Sequence, residues 1–106
     1  MISPCILVID NDVNLLVKLE PVLKRAGYRV LTATDGRQGI YLAQAAHPEV
    51  IVCNMTLPSL KEFDVRSTLA QDSQTASIPF ISLTKPFDRQ ELVSRVNAVI
   101  RSQAFH

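Results

Sequence analysis

Glycine is scarce in this 106-residue chain, which holds only Gly27, Gly36 and Gly39. None follows the first apolar run at Cys5 to Ile9. The glycine-rich loop that lets backbone N–H groups close on a phosphate is therefore missing, which disfavours a nucleotide- or flavin-binding enzyme. Cysteine and histidine are equally thin. Cys5, Cys53, His47 and His106 are scattered and form neither metal-ligand spacing nor a disulfide framework. The two thiols fall at opposite ends of the first and third apolar runs, roughly 15 Å apart at the rise of a strand, and read as core-packing groups. Charge of one sign is also lacking. Eleven Lys and Arg against ten Asp and Glu leave a net +1, and no basic run is interleaved with aromatics, so nothing supports direct nucleic-acid binding. No apolar stretch approaches the ~18 residues of a membrane span. The opening Met1-Ile2-Ser3-Pro4 carries no charged region or cleavage site of a signal peptide, and the expectation is a cytoplasmic protein without membrane contact. With 47% apolar residues, residues 1–106 read as one domain around one core.

Apolar runs alternate with helical spacing along the whole chain. Cys5 to Asp10 is apolar on both pleat faces, as in a central parallel strand covered on each side. Leu15, Leu16, Leu19, Val22, Leu23 and Ala26 then recur at helical spacing, with Asp12 as N-cap, Gly27 as left-handed stop and a bend expected at Pro21. Arg29 to Ala33 is a second strand, and Asp35-Gly36 turns the chain into a helix over 37–46 that packs through Ile40, Leu42, Ala43 and Ala46. Val50 to Cys53 is a third, buried strand, followed by a polar loop with Pro58 and a weaker helix around 61–70, where Phe63 and Leu69 are core candidates. Ser73 to Ser77 reads as linker. Phe80 to Thr84 is a fourth strand, and after Pro86 a last helix presents Leu92, Val96, Val99 and Ile100, with Asp88 and Glu91 at capping-box spacing. This βαβαβαβα order predicts an α/β fold, an open parallel sheet with helices on both faces and any site along the carboxyl ends of the strands.

The segments Ile6 to Asp12 (ILVIDND), Ala33 to Gly36, Pro48 to Pro58 (PEVIVCNMTLP), Ile78 to Thr84 (IPFISLT) and Lys85 to Leu92 (KPFDRQEL) resemble, in order, the CheY-like receiver domain of two-component response regulators. The resemblance implies a flavodoxin-like sheet. It also implies an Asp ending the third strand that takes a phosphoryl group from a histidine kinase, and an acidic pair after the first strand that holds Mg²⁺. A Thr or Ser after the fourth strand and a Lys after the fifth would contact the phosphoryl group, the Lys-Pro bond being usually cis. The chemistry needs a carboxylate nucleophile and cations to neutralise the developing oxygen charge.

This chain departs from that pattern at two carboxylates. Asp10 matches the first member of the acidic pair, but the second falls on Asn11 and the phosphoacceptor position on Asn54. An amide is a poor nucleophile and cannot form the acyl phosphate, and Mg²⁺ is expected to bind weakly or not at all, leaving the protein without a cofactor. Asp12 reads as a helix cap before it reads as a metal ligand. His47 reads as a solvated loop residue, with no nucleophile tied to it by any motif. Thr84 and Lys85 match the two phosphate-contacting positions, yet they are adjacent, whereas the family separates them by about twenty residues of helix and strand. Ile78 to Thr84 follows the fourth-strand pattern at every position, so the chain reads as order 2-1-3-4 with the fourth helix and fifth strand missing. Lys85 would then pair with Asp10 or with solvent.

The resulting expectation is a pseudo-receiver that is not an enzyme and binds a protein partner, such as a histidine kinase or an output protein, without being phosphorylated. A conventional receiver whose acceptor Asp was replaced at position 54 is the alternative, but one replacement explains neither Asn11 nor the shortened segment. The exposed edge at Phe80, Ile81, Ser82 and Leu83 carries no Lys, Glu or internal Pro, and the connection to the last helix is very short, so a homodimer built around 78–100 is expected, by pairing of the fourth strands or by exchange of the last helix.

Overall fold

A computed structural model describes the backbone of residues 3–53 and 60–104 and the side chains of 3–53 and 65–103. Its elements are β1 (Cys5–Ile9), α1 (Val13–Arg25), β2 (Arg29–Ala33), α2 (Gly36–Ala46), β3 (Val50–Cys53), α3 (Leu60–Gln71), β4 (Phe80–Ser82) and α4 (Arg89–Ala104). The four strands form one sheet in the order β2-β1-β3-β4, and every pairing is parallel. Among the described residues no helix is long and apolar enough to cross a membrane.

The continuous apolar runs become the two inner strands, since a strand covered on both faces has no use for polar alternation. Every residue of β1 and β3 is buried. Their side chains alternate between two cores. Ile6, Val8, Val50 and Val52, with Ile81 of β4, meet Leu16, Leu19 and Leu23 of α1 and Leu92 and Val96 of α4. Leu7, Ile9, Ile51 and Cys53 meet Ala43 of α2 and Val65 and Leu69 of α3. Cys5 and Cys53 are both buried free thiols.

Helix ends follow their capping chemistry. Asp12 caps α1, its Oδ1 accepting the Leu15 N–H at 3.2 Å, and Gly27 takes the left-handed φ of 101° beyond the last turn. Asp35 caps α2 by accepting from Gln38 N–H at 2.8 Å, while Gln38 Oε1 accepts from Thr34 N–H at 2.9 Å. Asp88 Oδ1 accepts from Gln90 N–H at 2.9 Å, one position ahead of the Glu91 expected from the spacing.

Helix α1 continues through Pro21 as one element. The Val17 carbonyl that loses its donor there belongs to a residue 65% exposed, where solvent can take the donor's place. Several expectations need correction. Ala26 and Ala46 are exposed, because each lies at the very end of its helix, where the chain leaves the sheet. Residues 73–77 form a folded turn rather than a linker: Thr75 is 1% exposed and donates its hydroxyl to Leu69 O at 2.7 Å. β4 stops at Ser82, although Leu83 N–H still reaches Cys53 O at 3.1 Å. The core candidate Phe63 and the loop with Pro58 lie outside the described side chains.

The short connection from β4 to the last helix suffices within one chain, because α4 packs on α1 and β3 of the same molecule.

Candidate functional site

β1 delivers Asp10 to the carboxyl edge of the sheet. The ladder runs one residue past the strand, Asp10 N–H donating to Ala33 O at 2.9 Å, and this holds the side chain inward at 0% exposure. A buried carboxylate requires a counter-charge and donors. Both converge on Oδ1, which accepts the Asp12 N–H at 2.8 Å and lies 2.8 Å from Lys85 Nζ. The second oxygen, Oδ2, is buried and has no hydrogen-bond partner among the described residues.

Lys85 arrives from the other side of β3. It follows β4 after Leu83 and Thr84, and its side chain is 16% exposed. The Lys85-Pro86 peptide is cis, as the resemblance implies. Beside the pair opens a shallow cleft of about 470 Å³ lined by Asp12, Leu15, Lys85, Pro86 and Phe87.

The sequence-derived site residues therefore divide. Asp10 and Lys85 come together. Asn11 is exposed next to Asp10, Asp12 is occupied in capping α1, and Thr84 is exposed at the end of the β4 segment. Asn54, the acceptor-equivalent position, lies outside the described residues. His47 is exposed and ends α2 with a left-handed φ of 49°. Among the described residues no three His, Cys, Asp or Glu gather as a metal would require.

The edge strand carries its own cover. Pro79 O and Leu83 N–H bond toward β3, so by alternation the backbone groups of Phe80 and Ser82 face away from the sheet. Arg95 of α4 fills part of that edge, Nη1 donating to Ser82 O at 3.2 Å, and the Arg66 guanidinium sits 5.2 Å from the centre of the Phe80 ring. Ile81 and Leu83 point instead into the core beneath α1 and α4. Sequence reasoning missed Arg95. Its place three residues after Leu92, flanking the apolar stripe of α4, was the available signal.

The profile of the response regulator receiver domain matches residues 6–84. The chain belongs to the response regulator receiver family. This receiver is similar to PilH of Pseudomonas aeruginosa, 29% identical over 90% of this chain and 96% of PilH. It is also similar to the DNA-binding dual master transcriptional regulator RpaA of Synechocystis, 34% identical over 92% of this chain but only 49% of RpaA. The receiver thus spans nearly all of one relative and about half of the other. Among solved structures, the chemotaxis response regulator CheY4 of Vibrio cholerae superposes with a TM-score of 0.81 at 24% identity, over 92% of this chain and 98% of that one. That likeness establishes the CheY-like fold. Receiver domains are modules of two-component signalling.

Proposed function

We propose that this receiver is a pseudo-receiver, a protein-interaction module that works in two-component signalling without carrying a phosphoryl group itself. The observation that carries the reading is Asn54 at the acceptor position. An amide nitrogen or oxygen offers no carboxylate to attack phosphorus and no acyl phosphate to form. Asn11 beside Asp10 supports the same conclusion, since a single engineered replacement at 54 would leave a second carboxylate in the acidic pocket. The partner is a protein such as a histidine kinase or an output protein, met in the cytoplasm. Thr84 and Lys85 hold the places of phosphate contacts without that work. A second copy is a further partner, pairing along the β4 edge at Phe80 and Ser82 where it displaces Arg95 from Ser82 O.

The test is incubation with acetyl phosphate and Mg²⁺ followed by intact mass. The expected result is no added phosphoryl group, and Asn54→Asp alone gives only weak labelling because the acidic pocket still lacks a carboxylate at position 11. A stable phosphoryl adduct on the unchanged chain, mapped to this pocket, sinks the reading.

A further inference from the structure

The Asp10 carboxylate is sealed from water, and the one cation that the described residues bring against it is part of the chain. Three features of the pocket distinguish it from a place prepared for a metal ion. The exposed Asp12 caps the amino end of α1 through its Oδ1, the neutral Asn11 is exposed, and Oδ1 of Asp10 already accepts from both the Asp12 N–H and the Lys85 ammonium. What remains of Asp10 for an ion is Oδ2, buried and without a partner among the described residues. A dication there would stand close to the Lys85 ammonium with one buried carboxylate to share between them, and the like charges would repel. Mg²⁺ would also have to give up waters for a donor set in which Asp10 is the only buried carboxylate among the described residues.

The shortened segment explains how the ammonium gets there. Lys85 leaves β4 after two residues and leads, through Pro86 to Asp88, into α4. The side chain that crosses β3 to reach β1 therefore belongs to the connection that sets α4 down on α1. We propose that the Lys85 ammonium stands in for a divalent cation in this pocket. It neutralises Asp10 from within and ties the start of α4 to the end of β1, so that the fold holds its acidic edge without metal. The inference rests on the receiver reading but not on the absence of phosphoryl transfer, so the two fail in different experiments.

Thermal melting of the full chain tests it, in millimolar MgCl₂ against NaCl of matched ionic strength. The unchanged protein should show the same Tm in both media. Lys85→Met should melt lower in NaCl and regain part of the loss in MgCl₂, because removing the ammonium exposes Asp10 Oδ1 and Oδ2 to an external ion. Asp10→Asn combined with Lys85→Met should lose the magnesium response, which assigns the rescue to this carboxylate. A saturable rise in the Tm of the unchanged protein with MgCl₂ overturns the proposal. So does a Lys85→Met variant that gains nothing from MgCl₂, whether it melts early or stays unfolded in both media.

Discussion

Gly39 of α2 stands directly on Ile9 of β1: a Cβ at position 39 would fall 2.5 Å from Ile9 Cδ1 and 2.9 Å from its Cγ1. Glycine is there to let a helix settle onto the strand that carries Asp10, one residue beyond Ile9. Gly39→Ala should therefore lower stability by about 1–3 kcal/mol through overpacking, against the roughly 1 kcal/mol by which alanine favours a helix. Urea unfolding reads the change in midpoint. Adding Ile9→Val, which removes the Cδ1 atom, should recover part of the loss, and additive losses in the double variant would mean that the two residues do not meet as described.

The turn after α3 depends on one buried hydroxyl. Thr75 Oγ1 donates to Leu69 O at 2.7 Å from a site 1% exposed, so Thr75→Val keeps the shape and leaves a carbonyl without this donor. The expected cost is about 1–3 kcal/mol. Denaturant titration checks it, and an unchanged midpoint would show that the turn is held by its backbone bonds alone.

Arg95 guards the β4 edge. Its bond to Ser82 O occupies a carbonyl that a second strand would use, so Arg95→Ala should shift self-association toward the dimer in sedimentation equilibrium. A protein that remains monomeric at high micromolar concentration with and without Arg95 removes the edge as a pairing surface. Ile81 is unsuitable for this test, since it is 4% exposed within the core and Ile81→Lys would break the fold rather than the pairing.

Alkaline pH should destabilise the protein through two acids whose neutral forms are favoured in the fold. Burial raises the Cys5 thiol above its ordinary 9.0, Arg29 opposing and Glu49 assisting. Burial likewise raises Tyr28 above 10.0, with Arg101 opposing; its hydroxyl donates to Asn97 Oδ1. A raised acid contributes stability fully present below its unfolded pKa and lost as pH climbs through the folded one. The loss should thus begin near pH 9 and deepen past 10. Cys5→Ala should flatten the first part of a stability-against-pH curve measured by urea unfolding. An identical pH dependence in that variant would count against the thiol.

Local pattern made much of this legible. The run of Val50 to Cys53, apolar on both faces, announces a central strand, and Asp12 and Gly27 mark where α1 starts and stops, because caps and pleats are decided by neighbours in sequence. The reading of 73–77 as linker failed for the complementary reason. A Ser- and Gln-rich stretch looks exposed until Leu69 and the end of α3 are placed beside Thr75.

From its residues alone the protein had a parallel four-strand α/β order, a receiver-like set of positions, and amides at 11 and 54 where carboxylates are expected. Those are matters of period, spacing and chemical identity, complete within a few neighbouring residues. The ion pair of Asp10 with Lys85 joins residues 75 positions apart, and the sequence could offer solvent as readily as Asp10 for that ammonium. Only the folded sheet chose, by setting β3 between β1 and β4 so that a lysine three residues past the end of β4 spans to the end of β1. The same holds for Arg95 on Ser82: which carbonyls an edge leaves open, and which side chain reaches them, depends on where α4 lands, and that is a property of the packed whole.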